Sequence, residues 1–389
     1  MAIQVTNVGW GSRLLGSIKG VGIGLLLFIG GCPLLFWNEG RAVKRAKDLE
    51  QGRDAVVDVD IANIDPAHNG SLVHLMGPAT TIETLTDPEL GVQAQAIRLR
   101  RTVEMYQWHE SRRTRRQKRL GGGQQEVTEF TYAMEWGSTR QDSSQFNEPN
   151  RQNPPMPYEG RSVNANVVML GSRMLTPALT EQIDVFQPLP VAPAQVPALN
   201  TLGRPVLPNG AGLYVGMNPA TPQIGDLRVS WEIAPPTVVS VLAAQQGPTF
   251  SAWNAPTGRT LEQNLEVGVV TAASMFGHLE SANETLTWIL RFVGWLLLFI
   301  GLNMVFRPLV VVADVVPFLG SIIGGGFFLA ALVISVPTAF LCIAVGWVVY
   351  RPLIGLLLLA IGLGFAFGVG HLVRKRGLRK NAERAAARA

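Results

Sequence analysis

The run Arg112, Arg113, Arg115, Arg116, Lys118 and Arg119, closed by Gly121-Gly122-Gly123, is the part of this chain most ready to meet another molecule. Basic residues held near an anionic lipid surface attract it by about 1 kcal/mol each, so lipid headgroups or an acidic protein partner are the contacts this run could make. A plainer role is also open: charges at a solvated hairpin tip keep a sheet edge from aggregating. Nucleic acid fits poorly, because no aromatic residues interleave with the charges. Enzyme chemistry fits no better. His109-Glu110 lacks a second His four residues on, and His68, His74 and His278 are scattered. No Gly-x-Ser-x-Gly elbow, phosphate-binding loop or spaced Cys/His set occurs. The sequence therefore predicts no catalytic residue, no metal site and no cofactor.

A second group of residues matters only if the chain lies in lipid. Gly16, Gly20 and Gly24 are spaced four apart, and so are Gly364 and Gly368. Small residues at that spacing let helices approach closely in a bilayer, within one chain or between copies. Arg291, Asn303, Arg307 and Asp314 are polar groups near the ends of apolar runs. They could mark an ion path, but snorkelling to the headgroups is enough to explain them there.

The elements that carry these residues follow from hydropathy. A hydrocarbon layer of ~30 Å needs ~20 mostly apolar residues per helix. Residues 14–37, 286–306, 315–347 and 352–373 meet that length. The third run contains Gly324-Gly325-Gly326 and Pro337, so it is expected to begin as an interfacial or broken helix. Bulky Phe36-Trp37 after the first run argues against a cleaved signal peptide. Basic residues in the tail 374–389 place the carboxyl end in the cytoplasm. Four spans then put residues 1–13 on the same side and residues 38–285 on the other. Arg41, Lys44, Arg45 and Lys47 pull the opposite way, but the tail is denser. Cys32 and Cys342 fall in predicted spans, so the large domain carries no disulfide.

That domain reads as mostly antiparallel strands. Leu72 to Met76 ends at Gly77-Pro78, and Asp87 to Gly91 is a turn. Ala96 to Trp108 is a strand showing Ile97, Leu99, Val103 and Met105 on one face. Phe130, Tyr132, Met134 and Trp136 alternate with polar residues, which marks a strand with one wet face. The basic run between them is expected to be a long hairpin loop. Residues 45–60 form a stem, Thr176 caps a short helix over 178–186, and 261–284 form a helix leading into the second span. The fold class is thus an α+β membrane protein: four transmembrane helices, one before and three after a large extracytoplasmic β domain.

Trp37-Asn38-Glu39-Gly40-Arg41-Ala42-Val43 directly after the first span resembles the signature of the transmembrane protein 43 (LUMA) family. So do Leu72-Val73-His74-Leu75, the segment Ala96 to Trp108, Gly225 to Ser230, Arg291 to Trp295, and Tyr350-Arg351-Pro352-Leu353. The resemblance runs from about residue 14 to 372. It implies one helix, a large lumenal domain and three further helices. Animal members are implied to organise the nuclear envelope and endoplasmic reticulum membrane, to self-associate, and to bind emerin and lamins; no catalytic residues carry over. The basic run 112–119 departs from the family pattern. Abundant Arg and Ala with scarce Lys hint at a bacterial source, which would place the chain in the inner membrane and leave only the membrane-organising role. The expected function is a non-enzymatic membrane scaffold that forms homo-oligomers and meets lipid or a protein partner through its outer domain. The alternatives are a channel or transporter component, or an envelope enzyme without a recognisable motif.

Overall fold

The computed structural model describes residues 2–353 together with 355 and 357. The chain divides into two compact units. One is built on long helices and the other on sheets.

The helix unit comprises residues 7–47, 117–125 and 281 onward. Its elements are parts of α1 (Trp10–Ala55) and α3 (Ala272–Ala313), and all of α4 (Pro317–Tyr350). A short helix, α2 (Pro177–Thr180), belongs to the other unit. Among the described residues three helices, α1, α3 and α4, are long and apolar enough to cross a membrane. All three exceed the apolar runs read from the sequence. α1 keeps helical hydrogen bonding through the charged stretch expected as a stem, because Ala42, Val43 and Leu49 continue a buried face beyond the oily part. α4 is one continuous helix through Gly324-Gly325-Gly326, not a broken one, with Pro337 inside it. The predicted fourth span 352–373, with Gly364 and Gly368, and the basic tail lie outside the described residues.

The β unit comprises residues 1–6, 48–116 and 126–280. Its larger sheet is built on β1 (Ala2–Val8), β3 (Arg98–Lys118), β4 (Gln124–Gly137), β5 (Val206–Asn209), β6 (Gly212–Val215) and β7 (Leu227–Ala234), in the order β1-β4-β3-β7-β6-β5. The second sheet centres on β8 (Thr237–Gln246), which pairs antiparallel with β2 (Leu72–Thr80) and with Asn264–Val267. β3 and β7 run antiparallel, with Val103 opposite Val229 and Leu99 opposite Ile233. The core joins inner faces of both sheets: Leu75, Leu99, Val103, Met105, Val229, Trp231, Val239 and Val241 are all buried in it. The expected face of β3 is therefore the buried one.

Several expectations need correction. The basic run is not a loop: β3 extends through Lys118, and only a short turn separates it from β4. Cross-strand neutralisation explains this, since Arg116 Nε meets Glu126 Oε1 at 2.9 Å. Of the alternating aromatic face on β4, only Phe130 is buried and Met134 is exposed. β2 continues past Gly77-Pro78 to Thr80. Residues 264–267 are a strand, and α3 begins only at Ala272. The short helix capped by Thr176 exists but stops at Thr180. Residues 2–8, for which the sequence suggested no element, form the edge strand β1.

Candidate functional site

The stretch Trp37 to Arg41 lies at the end of the oily half of α1. Successive helical residues point about 100° apart, so Asn38 and Arg41, three apart, share a face, while Trp37, Glu39 and Gly40 look in other directions. Trp37 points outward and is exposed, as expected of an aromatic residue at a lipid–water boundary. Asn38 and Glu39 point inward and are fully buried.

Glu39, 2 % exposed, is held from two helices. Arg291 on α3 donates from Nε to Oε1 at 2.7 Å and from Nη2 to Oε2 at 2.9 Å. Trp347 on α4 donates from its indole Nε1 to Oε2 at 2.7 Å. The Arg291 guanidinium also lies over the rings of Trp288 and Trp347, at 4.7 and 5.6 Å. A charged pair in such a place is stable only if further hydrogen bonds complete it, and here the fork geometry and the indole do so.

Asn38 donates to the Thr287 carbonyl at 3.0 Å and accepts from Arg41. Arg41 reaches Asn283 Oδ1 at 3.0 Å and Thr287 Oγ1 at 2.9 Å. Asn283 in turn donates to the Ala42 carbonyl at 3.1 Å. Gly40 faces α4: a Cβ there would stand 2.5 Å from the Tyr350 ring. A Cβ at Gly346 would press on the Glu39 side chain at 3.0 Å. One five-residue motif thus fastens α1 to both other helices.

Deeper in the oily region the helices touch through glycine. A Cβ at Gly24 would lie 2.7 Å from the Gly301 carbonyl oxygen and 2.7 Å from Met304 Cβ. Gly31 faces Leu298 and the Gly294 carbonyl, and Gly20 faces Met304. Gly20 and Gly24 therefore pack within one chain, whereas no described residue lies within 4 Å of a Cβ at Gly16. The seam runs Gly24 and Gly31 against Gly294 and Gly301, a spacing of seven that the four-residue pattern misses. Gly294 and Gly301 carry the same spacing in the sequence, and that was the available signal.

Of the four polar residues near span ends, Arg291, Asn303 and Asp314 have partners, and Arg307 is exposed. Arg291 is paired as described. Asn303 donates to the Phe299 carbonyl of its own helix at 2.8 Å. Asp314, 1 % exposed, accepts from Arg13 Nη2 at 2.5 Å and from Lys118 Nζ at 2.6 Å. Snorkelling accounts for neither Arg291 nor Asp314.

The remaining basic residues of the run do not converge on a cavity. Arg112 Nε pairs with Glu110 Oε1 at 2.7 Å, Arg119 Nη2 donates to Gln125, and Arg113 and Arg115 are exposed on the other face of the strand. In the β unit, Arg101 is buried in the β3 face that was read as apolar. It is matched by Asp87 at 2.7 Å, by Glu89, and by the Glu159 carbonyl. Burial would raise the Asp87 carboxyl. Hydrogen bonds from the Trp231 indole and the Glu89 and Leu90 amides, with the Arg101 charge, outweigh it and hold the group below the usual carboxylate range. Among the described residues, no group of three or more His, Cys, Asp or Glu could hold a metal ion.

Residues 105–352 match the family model described as Transmembrane protein 43. The chain is similar to Transmembrane protein 43 of Rattus norvegicus, 34 % identical over 91 % of this chain and 90 % of the relative. It is 33 % identical to that of Homo sapiens over the same shares. The homolog of Drosophila melanogaster is 29 % identical over 87 % of this chain and 91 % of its own length. No solved structure matches.

Proposed function

The chain belongs to the transmembrane protein 43 family, and from that premise we propose that it is a non-enzymatic integral membrane scaffold that self-associates through its helices. The single observation that carries this reading is the Asn38–Glu39–Arg41 cluster. Its hydrogen bonds join α1 to α3 and α4 and rigidify a bundle, which is what a scaffold requires. Residues 352–373 act as a fourth span by their length and hydropathy. Self-association is supported by the outer face of α1, where Gly16, Gly22 and Gly30 have open space beside exposed Leu15, Ile23, Leu26 and Ile29. The β domain offers the surface for lipid or a protein partner. Cross-linking in native membranes followed by mass spectrometry, with blue-native electrophoresis in mild detergent, tests the proposal. Links between identical residues of two copies and a band above the monomer are expected. A purely monomeric chain in both assays removes self-association from the reading.

A further inference from the structure

The chain has two cysteines, and the helix unit brings them together. Cys32 on α1 and Cys342 on α4 stand within thiol hydrogen-bonding reach of each other. Both pack against the same oily cluster, with Leu35, Leu298 and Ala339 buried at its centre. The register of the two helices accounts for the meeting. Gly40 abuts the Tyr350 ring, and Cys342 follows Cys32 by the same number of positions as Tyr350 follows Gly40. α1 and α4 thus run side by side in one direction. The thiols lie two helical turns from the point where Glu39 meets Gly346 and Trp347.

Small residues hold this seam close. Ala339 is buried in it, and a Cβ at Gly346 would touch the Phe36 carbonyl oxygen at 3.8 Å. A disulfide requires Cα atoms about 4.4–6.8 Å apart, and helices come that near only where small residues line the contact. Depth then decides what can react. Trp37 marks the lipid boundary, and Cys32 is five residues earlier, about 7–8 Å inside the oil. Charged thiols and disulfides dissolved in water do not enter there. Acyl chains do, because both thiols are only half-buried by the protein. A hydroperoxide carried on an acyl chain is polar for its surroundings and rises toward the headgroups, into the same depth. It also finds a donor: Trp295 packs against the same cluster, and its buried indole N–H has no acceptor among the described residues.

We propose that Cys32 and Cys342 are a redox pair that a lipid hydroperoxide closes into a disulfide, stapling α1 to α4. In the first step one sulfur takes the outer oxygen of the hydroperoxide. The O–O bond breaks, an S–O bond forms, and the thiol proton passes to the departing alkoxide, giving a sulfenic acid and a lipid alcohol. In the second step the other sulfur attacks the sulfenic sulfur. The S–S bond forms, the S–O bond breaks, and hydroxide leaves with the second thiol proton as water. The two thiols supply the two electrons that reduce the peroxide. Reactants and products are all neutral, so no ion is left in the hydrocarbon. The staple adds a reducible bond to the seam that Glu39 and Trp347 already hold.

The test uses the full chain in phosphatidylcholine vesicles, with or without phosphatidylcholine hydroperoxide. Both thiols are expected to disappear together, with the loss of two hydrogens from the intact mass of a single chain. The Tm is expected to rise on closure, and dithiothreitol should reverse both changes. Cys32→Ala and Cys342→Ala should each abolish that mass loss and the rise in Tm. Oxidised glutathione, confined to the water, should leave both thiols free. Survival of both thiols beside the peroxidised lipid overturns the proposal, as does oxidation of one while the other stays free. An unchanged Tm after closure, or disulfides that join two chains in place of one, overturns it too. Closure by oxidised glutathione as fast as by the lipid peroxide would put the thiols in water and remove the lipid route.

Discussion

Glu39 and Arg291 are 252 positions apart in the chain and share two hydrogen bonds. Replacing Glu39 by Leu leaves the guanidinium buried without its counter-charge, which costs about 3–5 kcal/mol where such pairs are broken. A thermal melt of the detergent-solubilised protein followed by tryptophan fluorescence should show a large loss for Glu39→Leu. Most of that loss should be recovered in Glu39→Leu/Arg291→Met, because two apolar groups need no pairing. Asp87 allows a test by pH. Its folded value lies below the ordinary 3.8, so its contribution to stability is complete above that value. It is lost as the pH falls through the lowered folded value. The parent's denaturation midpoint should therefore drop steeply below about pH 4. Asp87→Asn should begin less stable at neutral pH and show a shallower acid limb. At this scale the sequence was half legible. The motif around Glu39 stood out, and its place after an oily run was plain. Its partners were not, because nothing in spacing or periodicity says that an arginine far along the chain stands opposite. Arg101 shows the same limit: strand alternation put it on the inner face of β3, and only the buried acids beside it make that face tenable.

At the scale of elements, the close approach of α1 to α3 turns on side-chain volume. Gly24→Ala forces a methyl group to within 2.7 Å of a carbonyl oxygen, so the helices must part, and overpacking of this kind costs about 1–3 kcal/mol. Gly22→Ala points into open space and should leave the melting temperature unchanged. If the two variants melt alike, the seam does not exist as described. Hydropathy found the oily stretches because lipid imposes their length. It missed the full length of α1 and α3, whose ends are held helical by packing and not by oiliness. It also misread the basic end of β3. A dense cluster of arginines looks like a loop until the acids across the hairpin are known, and those acids are named only by the register of the pairing.

For the whole molecule, the class was legible, because three stretches long and oily enough to cross lipid frame the sheets between the first and the second. The length of α1 carries a mechanical consequence. Its 46 residues make a rod of about 69 Å, more than twice the ~30 Å of oil it has to cross. Bilayers that thin or thicken change the tilt of such a rod. The Glu39 bonds to Arg291 and Trp347 oblige α3 and α4 to lean with it, so a change of lipid thickness is answered by the three helices together.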